Sequence, residues 1–294
     1  MNFSKKVEKS LNLNNNSQNT CFLSGKKDTE SWKDIFSIPV LTRKKDSGSR
    51  KDVFPIPAVD SAQKYVVFQP HSDDAVFYAG GLILKLTKAG KSVTLVTMTD
   101  GGLGSEDVLM TSEHLMEIRK EEDQAAGMAM GATKHIYLDF HDGELGRGGA
   151  VTAAMVRIIR EEKPAAIMAP DPWLMYEAHQ DHLNCGFSAE ESMIFSKLPL
   201  YLPTLPPHEI KYIIFYNTSR PNQLVNIALE QAQLIKTLSL YPSQFTPELL
   251  EQMTQYLNAK GASLGRAHGM KMAEAFKVMT LFQLHTTNSD SEFI

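Results

Sequence analysis

At 294 residues, with 43% hydrophobic and 22% charged side chains, the chain can bury a large core, which excludes a small peptide-like module, a fibre and a fully disordered protein. A net charge of −4 provides no basic field for a phosphate backbone, so nucleic acid is not an expected partner. Two cysteines, Cys21 and Cys185, are too few for a disulfide framework and wrongly spaced for a cysteine metal site, which fits a reducing compartment. In chain order, residues 1–60 are polar, with one apolar island, WKDIFSIPVL, and a charged loop, RKKDSGSRKD; they read as an irregular extension of a main domain at 61–294. The N-terminal lysines are not followed by the apolar run of a secretory signal. No stretch reaches the ~18 consecutive apolar residues of a membrane span. The expectation is a cytoplasmic protein without a membrane span.

From Lys64 the pattern alternates. KYVVFQ reads as a strand, FYAGGLILKLTKAGK as a helix stopping at Gly90, SVTLVTMTD as a strand and HLMEIRKEEDQAAGMAMGA as a helix. HIYLDF, AAMVRIIREEKP and AAIMAP continue as strand, helix and strand. A helix follows Asp181, then a Pro-rich connector and the strand IKYIIFYN. Three tail segments, QLVNIALEQAQLIKTL, TPELLEQMTQYLNAKG and GMKMAEAFKVMTLF, carry helix-compatible spacing. Such alternation predicts an α/β, Rossmann-like fold, a mostly parallel sheet with helices on both faces and a helical C-terminal part.

In open α/β sheets ligands bind beyond the carboxyl ends of the strands. Two loops in that position concentrate chemistry: PHSDDAVFYAGG, with His71, Asp73 and Asp74, and DPWLMYEAHQDH, with His179, Asp181 and His182. Taken singly, each residue is more often a helix cap, a turn former or a satisfied polar contact, and Asp73 or Asp74 could cap the helix that begins near Ala75. Together, two histidines and a carboxylate match a hydrolytic zinc site that leaves a coordination position for water. Zinc in such a site acidifies water and polarises a carbonyl.

These loops resemble the marks of the LmbE-like (PIG-L) zinc-dependent N-deacetylases, an AHPDDE-like loop and a later HPDH motif, here PHSDDA and HQDH. The resemblance takes in TDG at Thr99–Gly101, IRKEE at Ile118–Glu122, SQF at Ser243–Phe245 and AEAF at Ala273–Phe276. It implies that His71, Asp74 and His182 bind Zn2+, that Asp73 is the general base, that His179 assists the oxyanion or leaving amine, and that Arg119 faces the substrate or oxyanion. On a helix, Arg119 has an alternative in pairing with Glu122 or Asp123. The implied substrate is an N-acetylated amino sugar or glycoconjugate. Two histidines and a carboxylate also suit iron, cobalt or nickel. Ser72 and Gln180 replace the usual prolines, and Ala75 replaces the acid closing the first motif, changes that bear on loop geometry and substrate contacts.

Asp100, Gly101 and Gly102 read as pocket lining or as a plain turn. Tyr176 and Glu177 precede His179 and read as sugar contacts or as ordinary loop residues, and Asp142 is open in the same way. Asp181 is expected to orient a neighbouring histidine, and Cys185 to be a packing residue. Homo-oligomerisation is left open. Two competing functions are a nucleotide-cofactor enzyme with Asp100 on a ribose, and a non-catalytic sugar- or partner-binding protein. The first is disfavoured because PHSDD stands where a phosphate-binding G-x-G-x-x-G turn belongs.

Overall fold

The computed structural model describes residues 55–286. The polar extension read at 1–60 therefore lies mostly outside the described residues. Its last part, from residue 55, is irregular but packed: the Val59 N–H donates to Gln223 Oε1 at 2.8 Å, and Val59 is buried in the core.

Five strands, β1 (Lys64–Gln69), β2 (Ser92–Thr99), β3 (Lys134–Phe140), β4 (Ala166–Pro170) and β5 (Tyr212–Tyr216), run parallel. Helices α1 (Asp74–Lys88), α2 (Ser112–Ala129), α3 (Gly149–Glu162) and α4 (Gln180–Phe195) connect them in the alternation expected from the sequence. Beyond β5 come β6 (Gln223–Asn226), α5 (Gln231–Leu238), α6 (Pro247–Arg266), β7 (Ala273–Met279) and α7 (Leu281–His285). The sheet order is β3-β2-β1-β4-β5-β7-β6, with β7 antiparallel to both its neighbours.

Alternation along each strand assigns the two faces. Tyr65 and Val67 of β1 join a core cluster with α1 and α5, whereas Val66 and Phe68 join one with α3 and α4. A strand covered on both sides has no polar face, which is why YVVF, after Lys64, reads as an unbroken apolar run. Among the described residues no helix is long and apolar enough to cross a membrane.

The helical C-terminal part holds in α5, α6 and α7, but two of its segments need correction. QLVN is strand β6, and helix begins only at Gln231; AEAFKVM is strand β7. Short apolar runs satisfy both periodicities, and here pairing with the exposed flank of β5 decided the matter, β7 on β5 and β6 on β7.

β1 lies between β2 and β4, so the chain leaves β1 in one direction and returns to its other side three strands later. This is the switch point at which successive loops splay apart and leave a crevice. The loops after β1 and β4 are neighbours there, both at the carboxyl edge.

Candidate metal centre

His71 and the start of α1 come from the β1 loop, and His179 and His182 from the start of α4. His71, Asp74 and His182 each offer a ligand atom within 4.8 Å of the others. His71 Nδ1 lies 3.3 Å from Asp74 Oδ2, and His182 Nε2 lies 3.4 Å from Asp74 Oδ1. Asp74 thus sits between the two rings, its own place fixed by the His71 N–H, which donates to Oδ2 at 2.9 Å.

The far nitrogens of both rings also meet carboxylates. His71 Nε2 is 3.1 Å from Asp142 Oδ1 and 3.5 Å from Asp181 Oδ2, and His182 Nδ1 is 3.3 Å from Glu177 Oε2. Carboxylates behind metal-ligating imidazoles fix the tautomer and orientation of the ring. Burial opposes a charge on His71, yet hydrogen bonds to Asp142, Asp181 and Asp74 outweigh it and push the ring's pKa up to about 11. Burial also works against an ionised Asp74, but His182 and His71 hold its pKa down to about 2. Negative charge in excess, gathered around two nitrogens in a buried site, calls for a cation. This donor set of imidazole and carboxylate fits a transition-metal ion.

Asp73 occupies the N-cap position of α1 without making a side-chain cap. Its carboxylate instead accepts from Arg119 at 3.1 Å. Burial first, then the Asp74 charge, pushes its pKa up, and Arg119 partly offsets them. Arg119 is buried and also donates to Ser72 Oγ (3.2 Å) and Gly101 O (3.2 Å), so pairing with Asp73 prevails over the alternative pairing with Glu122 or Asp123. Glu122 binds the N–H (2.8 Å) and hydroxyl (2.5 Å) of Ser243, joining the IRKEE and SQF segments. The AEAF segment has a comparable use, since Glu274 accepts from Gly81 and Leu82 of α1 at 2.8 Å each.

His179 caps α4: its Nδ1 accepts the Asp181 N–H at 3.3 Å. An accepting Nδ1 leaves the proton of the neutral ring on Nε2, as a donor. Burial first, then His71 and His182, lower its pKa and favour that neutral form. Its ring stands 4.5 Å from that of His71, centroid to centroid.

All six residues singled out in the sequence, His71, Asp73, Asp74, Arg119, His179 and His182, gather around this crevice. Asp142, ambiguous in sequence, joins them; it follows β3 at the same sheet edge, a placement that inspecting every post-strand loop could have weighed. Asp181 meets His71 across the crevice and accepts from Gly143 N (2.7 Å) and Leu145 N (3.0 Å). Asp100 organises its own loop, accepting from Gly102 N (3.0 Å) and Asp142 N (3.2 Å), and lines a cleft with Ser72 and Arg119. Cys185 is buried and packs in the core. Tyr241 was missed. Its hydroxyl lies 2.7 Å from Ser72 O and 2.9 Å from Asp123 Oδ1, tying the β1 loop to a buried polar network, and no local signal in the sequence marks it.

Fold and site together define an α/β protein with a metal-type donor set at the switch point of a parallel sheet. A family model described as PIG-L, GlcNAc-PI de-N-acetylase, matches residues 66–193. The diacetylchitobiose deacetylase of Thermococcus kodakarensis is 32% identical over 231 residues, covering 77% of this chain and 86% of that protein. A solved structure of N,N'-diacetylchitobiose deacetylase from Pyrococcus horikoshii, complexed with its inhibitor MPG, is 34% identical with a TM-score of 0.74, covering 77% of this chain and 87% of that one. A probable N-acetyl-alpha-D-glucosaminyl L-malate deacetylase 2 of Bacillus cereus is 36% identical over 126 residues, 41% of this chain and 56% of that protein. The chain belongs to the PIG-L, or LmbE-like, family of metal-dependent N-deacetylases.

Proposed function

We propose that the chain is a zinc-dependent hydrolase that removes an acetyl group from the amide nitrogen of an N-acetylated amino sugar or glycoconjugate. The observation that carries this reading is the convergence of His71, Asp74 and His182, with the carboxylate of Asp73 within electrostatic reach of Asp74 and His71. In it, His71, Asp74 and His182 hold the metal; iron, cobalt or nickel would suit the same donors. When bound, zinc supplies Lewis acidity, acidifying water and polarising the amide carbonyl.

Asp73 takes a proton from the attacking water as the oxygen bonds to the carbonyl carbon. The elevated pKa of this carboxylate suits a base. Arg119 holds Asp73 in place and supplies a fixed positive charge beside it. His179, with its proton on Nε2, donates to the oxygen on which negative charge develops. As the carbon–nitrogen bond breaks, the proton held by Asp73 passes to the departing nitrogen, leaving a free amine and acetic acid, which gives up its remaining proton to solvent as acetate. The names of the relatives, diacetylchitobiose deacetylase and N-acetylglucosaminyl-malate deacetylase, support an N-acetylglucosamine unit as the substrate class.

The test is metal analysis of the purified protein, with amine release from N-acetylglucosamine and its β-linked disaccharide before chelation, after chelation and after zinc restoration. About one metal per chain and chelator-sensitive release are expected. No metal and no release with zinc supplied would overturn the reading in favour of a non-catalytic binding protein.

A further inference from the structure

Between β4 and α4 the chain makes a turn in which the Glu177 N–H donates to Leu174 O at 3.4 Å. Tyr176 in this turn has left-handed backbone, φ 67°. That conformation is unfavourable for a bulky aromatic residue and persists only where the surroundings impose it. The ring of Tyr176 does not impose it, being 95% exposed. What the turn secures is the next side chain.

Glu177 folds back onto the start of α4. One oxygen, Oε1, accepts the His179 N–H at 2.9 Å; the other, Oε2, lies 3.3 Å from His182 Nδ1. A neutral imidazole carries one ring proton. With that proton on Nδ1 and donated to Glu177, Nε2 turns a lone pair toward Asp74 Oδ1, 3.4 Å away. Deleting the carboxylate leaves either ring nitrogen free to hold the proton, and a proton on Nε2 excludes a metal from it.

We propose that Glu177 is a positioning residue of the metal centre: it selects the tautomer and ring orientation of His182, and through the His179 N–H it fixes the turn from which both histidines project. This rests on the reading of His71, Asp74 and His182 as metal ligands. It assigns Glu177 work on the protein side of the site, distinct from the sugar contact its loop position suggests in sequence. Hydrogen-bonded carboxylates behind ligating histidines typically contribute about 10–100-fold in metal affinity.

The experiment measures the zinc dissociation constant of the full chain by competition with a chromophoric chelator, for wild type and for Glu177→Ala, Glu177→Gln and His182→Ala. The full chain freed of zinc, with 15N-labelled histidine, reports the tautomer of His182 before any metal selects it. Glu177→Ala is expected to bind zinc about 10–100-fold more weakly and to lose the pure Nδ1–H tautomer. Glu177→Gln should fall between, because its amide sets an oxygen against one of the two N–H groups but an NH2 donor against the other; it carries the test if the alanine variant does not fold. Wild-type zinc affinity and an unchanged tautomer in both Glu177 variants, with zinc lost in His182→Ala, would overturn the positioning role and leave the metal site standing. Wild-type zinc affinity in His182→Ala would overturn both.

Discussion

At the scale of single residues, two adjacent aspartates acquire different work from small differences in placement. Asp74 is pinned between His71 and His182, and its pKa is held down to about 2, so it stays a ligand-type carboxylate. Asp73 faces Arg119 instead, and burial with the Asp74 charge pushes its pKa upward. Asp73→Asn is therefore expected to lower kcat/KM for an N-acetylated sugar by about 10²–10⁴-fold while zinc stoichiometry stays at the wild-type level. Turnover at the wild-type rate in a metal-loaded Asp73→Asn protein would remove the base assignment. The replacements of motif prolines also resolve at this scale. Ser72 gains a hydrogen bond from Arg119, which no proline side chain could accept, and Gln180 takes the first position of α4, where proline is favoured but not required.

Among the elements, α4 carries the most. Its first turn holds His182 and is capped by His179, and its middle packs closely on β4 through Gly186. A Cβ there would run into the backbone oxygen of Pro170 and the ring of Pro172. Gly186→Ala is expected to destabilise the fold by about 1–3 kcal/mol, because backbone cannot yield as a flexible side chain does. Thermal melting would check this, an unchanged midpoint counting against a close α4–β4 contact. Farther along the helix, burial first, then Glu191, raises the pKa of Glu190 to about 7 despite the nearby Arg147. The folded state thus binds more protons than the unfolded one between the ordinary value of 4.5 and about 7. Its contribution to stability is full below that window and lost as pH rises through it. Relative to wild type, Glu190→Gln should gain in melting temperature on going from pH ~5 to pH ~8. A constant difference between the two proteins would show that Glu190 does not titrate abnormally.

For the whole molecule, a cation bound only by the folded state stabilises it by mass action. With zinc at ~100 times its dissociation constant, unfolding should cost about 2.7 kcal/mol more, seen as a higher melting temperature that chelation reverses. Little shift in wild type, or an equal shift in His182→Ala, would place zinc elsewhere. The alternation of strands and helices from Lys64 to Tyr216 is legible in the residue pattern, because strands buried on both faces must be apolar throughout and the helices between them must carry a periodic apolar stripe. The same pattern marks the loops that hold the histidines and acids, since the chemistry of a parallel sheet collects where its strands end. That AEAFKVM and QLVN extend the sheet emerges only on folding, because a short apolar run takes its conformation from the edge it meets. Tertiary structure alone also placed Asp142 and Asp181 behind His71, and brought Tyr241 to the β1 loop across a separation of 169 residues. Such partners are set by which strand lies beside which, and local pattern carries no record of that.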